Sequence, residues 1–152
     1  MIPALRDFLR AIAAPAAPQE EVPVELATAV LLVEAMRADQ GLGNDERTAL
    51  MRLLERRFSL DAQDVQELLA SAEERSRRSN DYFSFTSVLN ERLRHEQKIE
   101  VIELMWRVAY VDGYADAGES HVISKVAGLL HVTHGEYIAA KMHAKEAAGR
   151  AP

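Results

Sequence analysis

The stretch Glu103-Leu104-Met105-Trp106-Arg107-Val108-Ala109-Tyr110-Val111-Asp112-Gly113-Tyr114-Ala115-Asp116-Ala117-Gly118-Glu119 decides the fold, because its pattern occurs twice in the chain. Sliding the sequence along itself by 73 residues sets Leu104, Met105 and Ala109 over Leu31, Leu32 and Met36, and Asp112 over Asp39. The same shift sets Glu119 over Glu46, and Ile123 and Val126 over Leu50 and Leu53. Each copy reads as a buried helix, an Asp at its exit, a short Gly-containing turn, and a Glu in the first turn of the next helix. The earlier turn is Ala38-Asp39-Gln40-Gly41-Leu42-Gly43-Asn44-Asp45-Glu46. Two such hairpins are expected to pack about a pseudo-twofold axis.

Outward from the turns, residues 24–38 and 99–111 are apolar on nearly every side, which predicts two central core helices. Amphipathic helices are predicted around them at 45–57, 62–78, 82–94, 117–130 and 134–146. No segment after Pro23 alternates with a period of two, so the fold class is all-α, a compact bundle of about seven to eight helices in two pseudo-symmetric halves. Thr133 with Glu136 has capping-box spacing, Asp116 with Glu119 repeats it, and Asp61 with Asp64 is a weaker version. Ahead of the bundle, Ile2, Leu5, Leu9 and Ile12 form one stripe of a short amphipathic helix over 3–13. Pro15, Pro18 and Pro23 then predict an extended connector. The expected organisation is an N-terminal helix over 1–14, a Pro-rich linker over 15–23 and a helical domain over 24–148.

Composition bounds the function. The 152 residues are 48% hydrophobic and 28% charged, which excludes disorder along most of the chain. Lys and Arg number 18 against 24 Asp and Glu, a net charge of −6 that argues against nucleic acid or anionic lipid and for a cation or a basic partner. Cysteine is absent, which removes disulfides, a thiolate nucleophile and Cys-based zinc sites. No signal-peptide pattern is present, and the longest apolar run, 27–33, falls far short of the roughly 20 residues that span a bilayer. A soluble, cytoplasmic protein is expected, with oligomeric state and peripheral membrane contact left open by the sequence.

No phosphate-binding loop or nucleophile elbow occurs, so no enzyme is expected. His131 and His134 straddle the Thr133 cap and do not share a helical face as metal ligands. Arg52, Arg56, Arg57, Arg75, Arg77 and Arg78 form a basic cluster of a kind that contacts nucleic acid or an acidic partner, but their interleaving with Glu55, Glu73 and Glu74 is the pattern of solvated helix faces. Tyr82, Phe83, Phe85 and Trp106 are assigned to packing.

The acidic turns carry the remaining chemistry. Glycine ends a helix, Asn44 or Asp116 caps the next, and Glu46 or Glu119 meets a positive helix end. Asp39 and Asp112 instead stand where a helix presents its negative end, so turn amides or a hard cation must compensate them. Asp112, Asp116 and Glu119 follow at spacings of four and three. Oxygen-only donors of this kind suit calcium, magnesium or manganese, although the twelve-residue EF-hand loop is absent. In the first copy Gly43 replaces the middle Asp, leaving Asp39 and Glu46, with Asn44 or Asp45 as substitutes.

The phrase from Glu103 to Gly113, the Asp-x-x-Glu of Asp116 and Glu119, Asp81-Tyr82-Phe83-Ser84-Phe85-Thr86-Ser87-Val88-Leu89-Asn90 and Leu129-Leu130-His131-Val132 together resemble the stand-alone bacterial TerB-like tellurite-resistance domains. The resemblance covers about 24–143 and extends to the N-terminal domains of DjlA-type DnaJ co-chaperones. It implies two pseudo-symmetric helical halves, acidic turns that bind metal, and a role in stress-response or membrane-associated assemblies. Asp112, Gly113, Asp116 and Glu119 match the acidic turn fully. Asp39 and Glu46 match it in part, because Gln40 and Gly43 depart from the pattern. No J-domain is present to carry co-chaperone activity over.

Overall fold

Residues 5–7 and 9 are helical, and the apolar stripes after them fold into seven longer helices in the computed structural model, which describes residues 5–7, 9, 22–37, 43–78, 81–112 and 117–150. They are α1 (Val24–Met36), α2 (Asn44–Phe58), α3 (Ala62–Arg78), α4 (Phe83–Arg92), α5 (His95–Ala109), α6 (Ala117–Leu129) and α7 (His134–Arg150), with a 3-10 turn at Tyr110–Asp112. Among the described residues there is no strand.

Helix α1 has no polar face, and the fold answers by surrounding it. Leu26, Val30, Leu31, Leu32 and Val33 have no exposure, and α1 packs against each helix from α2 to α6. Burial of one such side chain contributes about 1.5–3 kcal/mol. Helix α5 is the second buried helix, through Ile102, Met105, Trp106 and Val108, and α7 lies along its outer side.

The repeat in the sequence is a repeat in space. The ends of α1 and α5 are 73 residues apart, as are the starts of α2 and α6, and α3 and α7 each span 17 residues. The order α1–α2–α3 therefore recurs as α5–α6–α7, with α4 inserted between. Packing is reciprocal: α3 lies on α1 and α7 on α5, while α2 reaches across to α5 and α6 across to α1. Such exchange joins the halves about a pseudo-twofold axis.

The second junction of each half repeats as well. Ser59 (φ 54°) and His131 (φ 62°) end α2 and α6 in the left-handed conformation, which costs an L-residue roughly 1–2 kcal/mol. The amide of Leu60 then donates to the Glu55 carbonyl, and that of Val132 to the Ala127 carbonyl, both at 3.0 Å, closing orphan carbonyls. Leu60 and Val132 are buried. The next residue caps the following helix: Asp61 Oδ1 accepts the Asp64 amide at 2.8 Å, and Thr133 Oγ1 accepts the Glu136 amide at 3.2 Å. Glu136 returns the bond by accepting the Thr133 amide at 2.9 Å, a complete capping box.

Several boundaries differ from expectation. Helix α5 starts at His95, four residues before Ile99, because the Gln97 side chain accepts the Arg94 amide at 2.8 Å and closes the first turn. Its far end tightens into the 3-10 turn instead of continuing as α-helix. Helix α4 is shorter than 82–94: Asp81 caps it by accepting the Phe83 amide at 2.8 Å and the Ser84 hydroxyl at 3.0 Å, and Leu93 turns extended. Helix α7 continues past Glu146 to Arg150. Phe85 is buried, whereas Phe83 is 63% exposed, so its assignment to packing does not hold. It stands on the outward side of the first turn of α4. Leu5 and Leu9 join the main core, and Arg6 lies 3.6 Å from Asp64. Ile2, Ile12 and most of the Pro-rich stretch lie outside the described residues.

Candidate functional site

The two acidic turns open from the exits of α1 and α5. At the first, Glu46 occupies the third position of α2, and its Oε1 accepts the Gly43 amide at 3.3 Å. This is one half of a capping box, with a glycine where the side-chain acceptor would stand. A Cβ at Gly43 would sit 3.2 Å from the same oxygen, so the missing side chain leaves room for the Glu46 carboxylate over the helix start. Asp39 lies outside the described residues.

At the second turn, α5 narrows into Tyr110–Asp112, which rests against α2, α5 and α7. The chain then re-enters at Ala117, and Glu119 takes the third position of α6, matching Glu46. Glu119 is 6% exposed, a carboxylate drawn into the protein immediately after the turn, while Glu46 is only half-buried. Burial of an ionised carboxylate is expensive unless hydrogen bonds or charge compensate it. The side chain of Asp112 and all of Asp116 lie outside the described residues. Among the described residues no three His, Asp or Glu side chains converge as a metal cluster.

The pseudo-twofold axis brings parts of both turns to one groove. Asp45, in the first turn of α2, and Val111, in the 3-10 turn, line the same opening of about 620 Å³. Its walls are α2 and the C-terminal part of α7, and its floor includes Tyr110 and Ala144. Burial raises the Tyr110 phenol above its ordinary pKa. Arg52 and Arg56, one helical turn apart on α2, also face this opening.

These arginines were grouped by sequence with paired surface cations, and the structure separates them. Arg77 and Arg78 pair with Glu74, Arg57 pairs with Glu100 at 3.2 Å, and Arg47 pairs with Glu73 at 2.6 Å. Arg52 and Arg56 make no ion pair among the described residues. The sequence signal for the groove was the coincidence of Arg52 and Arg56 with the alanines 144, 147 and 148 of α7. Neither feature is conspicuous without the fold.

Two of the five histidines, His95 and His143, serve as ties between helices. His95 Nε2 lies 2.9 Å from both carboxylate oxygens of Glu136, and His143 Nδ1 lies 3.3 Å from Glu103, each joining α5 to α7. Bonds from the Thr133 amide and His95 hold the Glu136 carboxyl below its ordinary pKa. No described helix is long and apolar enough to cross a membrane. In comparison with known families, the family described as "Tellurite resistance protein TerB" matches residues 25–142. No curated protein and no solved structure matches the chain.

Proposed function

Because the chain belongs to the TerB tellurite-resistance family, we propose that it is a non-enzymatic cytoplasmic module of the stress response, acting through protein partners and holding a divalent cation at its second acidic turn. Asp112, Asp116 and Glu119 would hold the ion there. The observation that supports this is Glu119, 6% exposed at the helix position directly after the turn. An all-oxygen donor set with no cysteine fits calcium, magnesium or manganese. The ion would supply positive charge where Asp112 meets the negative end of α5, so that three acidic groups and a helix terminus share one site without repulsion.

The first turn supports a different role. Glu46 is engaged with the Gly43 amide, and Gly43 stands where Asp116 stands in the second turn. Asp39 and Glu46 are therefore assigned to a weaker cation position or to capping alone. If both turns act only as caps, the protein is a purely structural interaction domain without metal.

Thermal melts of the full chain with millimolar calcium, magnesium or manganese against chelator decide between these readings. Binding to the folded state alone raises Tm, by about 2.7 kcal/mol of stability at 100 times Kd. The cation reading expects a rise with at least one ion that disappears in Asp112→Asn and Asp116→Asn. No rise with any of the three overturns it and leaves the structural module.

A further inference from the structure

The pseudo-twofold relation shows what the groove beside α7 is shaped to receive. Shifted by 73 residues, its lining positions Arg52 and Arg107 correspond to Lys125 and Glu34, and at the 72-residue offset that relates α3 to α7 its lining position Ala147 corresponds to Arg75. In the structure those three positions surround the start of α4. Lys125 Nζ stands 5.9 Å from the Tyr82 ring, burial and, secondarily, the charge of Glu34 raise the Tyr82 phenol pKa, and Arg75 shares a cavity with Ser84 and Phe85. The slot at the exit of α1 is thus filled by an aromatic-led helix of the same chain. The matching slot at the exit of α5 stands open among the described residues, with the same kind of walls.

Charge identifies the occupant. Arg52 and Arg56 project along one wall without an ion pair among the described residues, in a chain whose net charge is −6 and whose other groove arginine, Arg107, is held by Glu103 at 3.0 Å. Tyr110, Leu53 and the α7 alanines give a floor of apolar and small side chains, on which a helix backbone can approach closely. Asp45 places negative charge at the end near the acidic turn, which orients an incoming acidic segment toward Arg52 and Arg56. We propose that this groove docks an amphipathic helix of a partner protein, apolar on the face toward Tyr110 and Ala144 and acidic on the edge toward Arg52 and Arg56. The partner's helix takes in the second half the place that α4 takes in the first.

The proposal names the docking surface of the interaction module described above and rests on that reading. Its test is a two-dimensional NMR titration of the full chain with a synthetic helical peptide carrying a Leu/Phe stripe and a Glu edge, and with its Lys-edged twin. The Glu-edged peptide is expected to shift the amides of Leu53, Val111, Ala144 and Ala148. Arg52→Gln/Arg56→Gln should weaken it by about 10-fold or more, with Tm unchanged, as loss of close charge pairs requires. Equal binding of the Lys-edged twin, equal binding to the double variant, or shifts confined to other surfaces overturns the proposal. So does a homodimer closing the groove, seen as a concentration-dependent mass that the double variant abolishes. Cation-dependent melting of the same samples is read separately, so a failed groove leaves the cation reading to stand or fall by itself.

Discussion

The two halves of the chain share helix order, register and junction chemistry, and differ in what fills the space around the exit of each buried helix. On the side of α1's exit that faces α3 the contacts are polar: Arg37 donates to Ser76 Oγ at 2.9 Å, and Ser76 donates to Glu34 Oε1 at 2.6 Å. At the exit of α5 they are aromatic: Trp106 stacks on Tyr110 at 5.9 Å and meets Tyr137 at 5.5 Å, with Lys141 5.1 Å from the indole. Tyr110 is the residue that corresponds to Arg37. One backbone template therefore carries either an ionic network or a ring stack, so the repeat is held by helix spacing and junction geometry rather than by side-chain identity. The half that received α4 spent its slot on internal packing. In the other, the slot is open among the described residues.

The comparison can be broken hardest at the ring stack. Trp106→Ala removes a side chain with no exposure and should cost about 3–5 kcal/mol in urea unfolding. Val33→Ala, at the matching position in α1, should cost less, about 1.5–3 kcal/mol. Equal losses would mean that the two exits contribute alike despite their different contents.

Asn90 tests the inserted helix. Its side chain donates to the Leu129 carbonyl at 2.9 Å and accepts from Lys98 at 3.2 Å, fastening α4 to α5 and α6. Asn90→Ala leaves two partly buried groups unpaired and should cost about 1–3 kcal/mol. Hydrogen exchange should show the loss concentrated in α4 and the end of α6; a uniform loss would contradict the view of α4 as an insert between two otherwise complete halves.

Caps provide a finer comparison. Asp61→Ala and Thr133→Ala should each cost about 1 kcal/mol, and chemical denaturation should find the two alike if the second junctions are equivalent. The smallest effect separates them by pH. Glu136 has a lowered pKa in the folded state, so its contribution is fully present above the ordinary glutamate value of 4.5 and is lost as pH falls through the lowered folded value. Glu136→Gln should flatten the acid limb of Tm against pH. Glu136 follows its cap Thr133 by three residues as Asp64 follows Asp61, and Gln63→Ala, which removes no ionisable group beside that second cap, should leave the limb unchanged.

The fold was largely legible because its strongest features are periodic. All-round hydrophobicity marked α1 and α5, the 73-residue shift paired the halves, and the Asp61 and Thr133 caps sat where their side chains bond. The start of α5 was misplaced because His95, Glu96, Gln97 and Lys98 read as a polar loop, and only the Gln97 bond to the Arg94 amide makes them a helix turn. Phe83 was misassigned because an aromatic cluster does not reveal which ring the helix turns outward. At the candidate site, Glu46 and Glu119 were placed correctly on their helices, yet their different burial follows from the surrounding packing, to which neither turn sequence refers. The division of Arg52 and Arg56 from the paired arginines has the same cause. Pairing partners such as Glu73 and Glu100 come from other helices, and spacing along one helix does not show which cations they reach.

Helix α1 also sets a schedule for synthesis. Its apolar surface is covered on different sides by α2 through α6, and the last of these ends at Leu129, 93 residues after Met36. At ordinary elongation rates of about 5–20 residues per second, α1 leaves the ribosome roughly 5–20 s before its shell can be complete. During that interval the nascent chain presents a greasy rod with no polar side to turn toward water. The early half is thus prone to aggregate until the later helices arrive, and a truncation after Arg78 should precipitate, although it contains one whole repeat.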